Sequence, residues 1–167
     1  MSKGKPFRHL STGGKPIMVD VSAKGATRRS ARAEAWVTVG AAIAGQLRRA
    51  GGLAKGDVLQ TARLAGIMAA KRTAEIIPMC HPLTLDAIDV EAQLAGARVH
   101  IVSRVSCEGK TGVEMEAMVA AAVGALTVYD MVKSAGKGIA IGPVRLLDKS
   151  GGKSGKWVRV GGTNGQD

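Results

Sequence analysis

One run dominates this chain. Residues 113–135, VEMEAMVAAAVGALTVYDMVKSA, are rich in Ala and Met; Thr111-Gly112 opens the run and Gly136 closes it. It reads as a long and largely buried helix. What it packs on must be aliphatic, because Phe7, Trp36, Tyr129 and Trp157 are the only aromatic residues among 167. An apolar fraction of 46% is enough for one sizeable core, and the length fits one domain.

The other elements arrange themselves around that helix. Ile17–Val21 is short and apolar. In 26–39, Ala31, Ala33, Ala35, Val37 and Val39 alternate with Arg32, Glu34, Trp36 and Thr38, the period of a half-buried strand. Residues 40–50 read as a helix ending at Gly51-Gly52. Asp57 stands where an N-cap belongs, before a second helix that Pro78 stops. Met79-Cys80-His81-Pro82 is expected to be a rigid connector, since Pro82 restricts His81 to an extended backbone. Two strands follow, carrying Leu85, Ile88, Val90 and Ala92, then Val99, Ile101, Ser103 and Val105, with a turn at Ala95-Gly96. After the long helix comes a last strand of Ile139, Ile141, Val144 and Leu146, interrupted by Gly142-Pro143. The order strand, helix, helix, strand, strand, helix, strand predicts an α+β sandwich, with helices packed on a largely antiparallel sheet. The expected organisation is a flexible basic arm at 1–16, a single domain at 17–155 and a flexible Gly-rich tail at 156–167.

The net charge of +11 suggests a polyanion partner. Its distribution argues against a nucleic acid. Residues 1–32 hold eight basic residues and one acid, residues 33–132 nine basic and ten acidic, and residues 133–167 seven basic and two acidic. The body is close to neutral and the excess lies at the ends. No helix-turn-helix, RNA-recognition or zinc pattern is present, and aromatics for base stacking are scarce. No stretch of eighteen apolar residues lacks charge, so no membrane span is expected. The N-terminus has no apolar core of a secretory signal. Cys80 and Cys107 read as reduced thiols in a cytoplasmic protein, and their spacing suits no zinc site. SGGKSG lacks the upstream glycine of a phosphate loop, and GKGIAIG lacks the dinucleotide spacing.

Charge inside the long helix is the sharper signal. Glu114, Glu116, Asp130 and Lys133 interrupt an otherwise apolar run, which is costly unless they are paired or functional. Glu116, Asp130 and Lys133 fall within about 100° of one another, while Glu114 points elsewhere. Asp130 and Lys133 are three residues apart and can touch, which an ordinary helix-end ion pair would also explain. Glu116 and Asp130 lie roughly 21 Å apart along a straight helix. They cannot both reach one small reacting centre within a single chain. Either they do separate jobs or the site is assembled from two chains.

The motifs MVDVSAK (18–24), KGDVLQTARLAGIMAAKRT (55–73), IPMCHPL (77–83), GKTGVEMEAM (109–118), YDMVK (129–133) and IGPVRLLDKSGGKSG (141–155) occur together and in order. Over about 10–155 the chain resembles the molybdenum cofactor biosynthesis protein C family, the cyclic pyranopterin monophosphate synthases. The resemblance implies a ferredoxin-like α+β fold and a homohexamer, a trimer of dimers with active sites at subunit interfaces. It implies conversion of 3′,8-cyclo-7,8-dihydro-GTP to cyclic pyranopterin monophosphate with release of diphosphate, a lyase reaction. By the same resemblance Asp130 is catalytic, Lys133 its partner in proton transfer, and Lys55 and His81 assist. Met79, Cys80 and His81 form one substrate-binding segment and Met115-Glu116 the other, with Glu114 beside them. Arg29, Lys71, Lys149 and Lys153 fall at positive positions suited to triphosphate contact. No metal site or cofactor is required by the sequence, although Mg²⁺ can accompany the triphosphate. With so few aromatics, base recognition is expected to rest on hydrogen bonds from backbone and Glu116.

Overall fold

The computed structural model describes residues 13–50 and 57–160. The elements are β1 (Thr27–Thr38), α1 (Ala41–Ala50), α2 (Val58–Ala70), α3 (Thr73–Ile76), β2 (Ala87–Ala95), β3 (Arg98–Gly109), α4 (Glu114–Val132), β4 (Ala140–Ser150) and β5 (Trp157–Val158). The sheet order is β2-β3-β1-β4-β5, and every neighbouring pair is antiparallel. This is an α+β sandwich of the ferredoxin-like kind.

The alternation in β1 sets which face is inside. Ala31, Ala33, Ala35 and Val37 are essentially inaccessible, as are Val99 and Ile101 on β3. They lie under α4, while α2 packs on α4 and on β2. Side chains this small let the layers approach closely. A Cβ at Gly66 of α2 would stand 2.8 Å from the Ala120 carbonyl oxygen of α4, so glycine is what allows the two helices to meet there. Ser103, the polar exception on the inner face of β3, donates to the Ala117 carbonyl at 2.7 Å. By length and composition α4 could cross a bilayer; in this fold it is the core helix, with Ala117, Ala120, Ala121, Ala125, Val128 and Val132 fully buried.

The opposite face of the sheet carries a polar cluster. Buried Glu34 accepts from Arg145 Nε at 2.6 Å and pairs with His100 Nε2 at 2.7 Å. The His100 ring stacks on Trp36 at 3.9 Å, and the Arg98 guanidinium covers Trp36 at 4.5 Å. Burial pushes the Glu34 carboxyl up, but the hydrogen bonds from Arg145 and His100 outweigh it and hold the group below the usual carboxylate range.

Four details differ from the sequence expectation. Asp57 does cap α2, accepting from Leu59 N at 2.9 Å and Gln60 N at 3.1 Å. The helix then ends at Ala70 rather than running to Pro78, because buried Thr73 takes the Ala70 carbonyl with its hydroxyl and the chain restarts as short α3. The β2–β3 turn is Gly96-Ala97, one residue later than expected, since Ala95 already pairs with Arg98. Gly142-Pro143 does not interrupt β4; the strand carries it as a register shift opposite Ala35–Val37. Finally, the tail expected to be flexible from 156 contributes Trp157–Val158 as a fifth strand on β4. The arm at 1–12 and residues 161–167 lie outside the described residues.

Candidate active site

Two segments far apart in sequence meet at the N-terminal end of α4. Met79, Cys80 and His81 come from the connector, which turns at Pro78-Met79 with Cys80 N donating to the Ile77 carbonyl at 3.0 Å, and Glu114, Met115 and Glu116 come from the first turn of the helix. With Val19, Val21, Lys24, Leu83, Thr111 and Gly112 they line an open cleft of about 260 Å³. A smaller cleft of about 140 Å³ adjoins it, lined by Lys71, Arg72, Thr73 and Glu75. His81, Leu83 and Glu116 form the wall the two clefts share.

Glu116 is the unusual group. Its residue is only 4% exposed, and its Oε2 has no hydrogen-bond partner among the described residues. Burial pushes its carboxyl above the usual carboxylate range, its own backbone N–H pulls the other way, and the charge of Glu114 adds to the rise. A buried carboxyl oxygen that the described residues leave unpaired, on the wall of a cleft, is a group able to bond a ligand there. Cys80 is half-buried beside it; burial pushes the thiol up and the Glu116 charge adds to that, so the sulfur is a poor nucleophile.

Glu114 corrects the helical-wheel expectation. It lies about 200° from Glu116 around the helix, yet both reach the cleft, because Glu114 stands on the first residue of α4 and folds back over Gly112. A Cβ on Gly112 would collide with the Glu114 carboxylate, so glycine makes room for that fold-back. Lys149 Nζ donates to Glu114 Oε1 at 2.7 Å, bringing β4 to the mouth of the cleft.

The expected cation positions separate. Arg29 donates to the Gly109 and Lys110 carbonyls, both at 3.3 Å, and so shapes the loop leading into α4. Lys71 lines the smaller cleft and Lys153 is exposed in the loop after β4. Lys55 lies outside the described residues. Antiparallel pairing brings the two basic ends of the chain together here, with Ser30 opposite Ser150 and Ala31 opposite Lys149. Lys24, Thr111 and Gly112 were not singled out from the sequence as site residues. The signal was there, since they sit in the MVDVSAK and GKTGVEMEAM motifs.

Asp130 and Lys133 are elsewhere. They form an ion pair of 2.5 Å at the C-terminal end of α4, with side chains 64% and 55% exposed. The hydrogen bond from Lys133 to Asp130 raises the lysine above its ordinary pKa, with the aspartate charge adding. The desolvated surroundings expected for an acid–base pair are not supplied by this chain's own described residues. The cleft and the pair thus stand at opposite ends of one helix.

Residues 18–152 match the MoaC family. The chain belongs to that family. MoaC proteins are enzymes of molybdenum cofactor biosynthesis, and the matched span contains both cleft segments, the Asp130–Lys133 pair, Lys55, Lys71 and Lys149. It ends before Lys153 and before β5.

Proposed function

We propose that this MoaC chain converts 3′,8-cyclo-7,8-dihydro-GTP to cyclic pyranopterin monophosphate and diphosphate. One observation carries the reading: residues 79–81 and 114–116 converge on a cleft whose wall holds an orphaned, buried carboxyl oxygen. A guanine-derived ring system offers several N–H donors to such an acceptor. His81, on the wall common to both clefts, is placed to touch a ligand that enters either.

The reaction has two demands. A ribose-derived hydroxyl must attack the α-phosphorus while diphosphate departs, so cations must meet the leaving charge. Lys24 and Lys71 line the two clefts and Lys149 stands at the mouth of the larger one, with Lys153 assigned to the same task. Rebuilding a purine as a pterin also needs hydrolysis and several proton transfers. Asp130 and Lys133 are assigned to those, with Lys55 and His81 assisting. Within one chain they lie at the wrong end of α4, so the reading includes an active site assembled between chains, as in a hexamer built as a trimer of dimers. A neighbouring chain would also desolvate the pair.

Incubating the protein with the cyclised dihydro-nucleotide, and assaying diphosphate and pterin product, tests the reaction. Absence of product rejects it. Mixing two inactive variants, Glu116→Gln and Asp130→Asn, after dissociation and reassembly tests the shared site. If each site takes its cleft from one chain and its ion pair from another, random mixing in equal amounts restores about 25% of parent activity. If both lie in one chain, every site keeps a lesion and the mixture stays inactive.

A further inference from the structure

The C-terminal segment outside the family match does more than cover an edge. Between Arg32↔Asp148 and Ala33↔Leu146 the pairing of β1 with β4 slips by one residue, so Leu147 is a bulge. A bulged residue has no partner in the ladder it leaves, and the chain beyond it is free to change direction. Two residues beyond Leu147 stands Lys149, the residue whose Nζ holds Glu114 at 2.7 Å.

The segment after β4 supplies what the bulge lacks. Arg159 N donates to the Leu147 carbonyl at 2.8 Å, and Arg159 Nε donates to the adjacent Leu146 carbonyl at 2.8 Å. Val158 pairs with Asp148 and Trp157 with Lys149. The Arg159 guanidinium lies over the Trp157 ring at 5.7 Å. On the other side, Ser150 meets Ser30 across β1 at 2.8 Å. Lys149 is therefore held between strands on both flanks just where its own strand is irregular.

We propose that Trp157–Arg159 is a positioning strap for the cleft: it pins the Leu147 bulge, fixes the direction of Lys149, and through that lysine keeps Glu114 at the mouth. This rests on the reading that the cleft is the substrate site, but it names residues that the family match does not reach. The strap touches no substrate. It acts through Lys149, so its loss and the loss of Lys149 should not add.

The test uses the full chain. Arg159→Pro removes both the N–H and the guanidinium; Arg159→Lys keeps the N–H. Arg159→Pro should raise KM about tenfold with kcat within about twofold, and Arg159→Lys should stay within about twofold of parent. Combining Arg159→Pro with Lys149→Gln should be no worse than the more severe single change. An unchanged KM in Arg159→Pro overturns the proposal, and so do losses that multiply in the double variant. A second readout needs no turnover. Amide exchange across 109–116 should quicken about tenfold in Arg159→Pro, and in a chain ending at Lys156, if the strap holds this wall. Unchanged exchange overturns the proposal even where turnover cannot be read. A parent protein that forms no product rejects the assigned reaction instead, leaving exchange to decide the strap.

Discussion

Replacing Glu116 with glutamine should make the protein more stable and less active at once. The parent residue is 4% exposed and its Oε2 makes no hydrogen bond among the described residues. A buried polar atom left unpaired costs about 1–3 kcal/mol, and more when charged. Burial holds the folded-state pKa above the ordinary value. The unfolded chain therefore loses this proton first as pH rises, and the folded chain keeps it to higher pH. Between those two points the folded state binds more protons, so Glu116 subtracts stability progressively with rising pH. Each tenfold change in proton affinity is worth about 1.4 kcal/mol. Glutamine has the same shape and cannot ionise.

Because glutamine leaves its own amide equally buried, only the ionisation cost is removed: the expected gain is nothing near pH 4 and grows toward pH 8, each kcal/mol of it raising Tm by about 2–4 °C for a chain this size. Calorimetric unfolding of parent and variant at both pH values in one buffer series checks this. A difference that does not change with pH would refute the claim that Glu116 is held against its ionisation by burial. A stabilised variant with normal turnover would refute the claim that the strain serves the cleft. Both outcomes can be read from one protein preparation.

Three further outcomes follow from the same structure. Glu34→Gln removes the charged partner of Arg145 and His100 and should cost about 1–3 kcal/mol near pH 7. Because the folded Glu34 pKa is depressed, that contribution is present above the unfolded carboxylate pKa and fades as pH falls through the folded one, which urea titrations across the acid range would show. Gly112→Ala displaces the far end of the Glu114 side chain and no backbone, so Tm should stay within about 2 °C while KM for the cyclised nucleotide rises. Ile101→Ala empties a fully buried site between the sheet and α4 and should cost about 2–5 kcal/mol, read from the denaturant midpoint.

The parts of this fold legible in the sequence are those governed by local periodicity. Ala31, Ala33, Ala35 and Val37 alternate because one face of β1 lies under α4, and that alternation is visible with no structure at all. Asp57 announces the start of α2 because capping involves only the next three residues. The end of α2 was not legible: it depends on where Thr73 finds itself buried, a tertiary fact that helix propensity cannot carry. Nor was β5. Two residues have no period, and what holds Trp157 and Val158 is the unpaired edge and bulge of β4, which form only after β1 and β4 have paired.

The site divides along the same line. Fourteen residues of helix rise put Glu116 and Asp130 apart in any conformation that keeps α4 straight, so their separation could be read from spacing. The meeting of Cys80-His81 with Glu116 could not, because it depends on α2, α3 and the connector returning the chain to the start of α4. The charge shows both halves of this at once. Composition gave an excess at each end of the chain and suggested two separate basic tails. Register turned them into one neighbourhood: β1 enters the sheet beside the point where β4 leaves it, so Arg29 and Lys149 flank the same loop. Each is already engaged, Arg29 with backbone carbonyls and Lys149 with Glu114. Basic residues that shape a cleft and basic residues that meet a phosphate are indistinguishable in a sequence. Their bonds separate them here, and they make Arg29 and Lys149 builders of the cleft wall before they can be counted as ligands for a triphosphate.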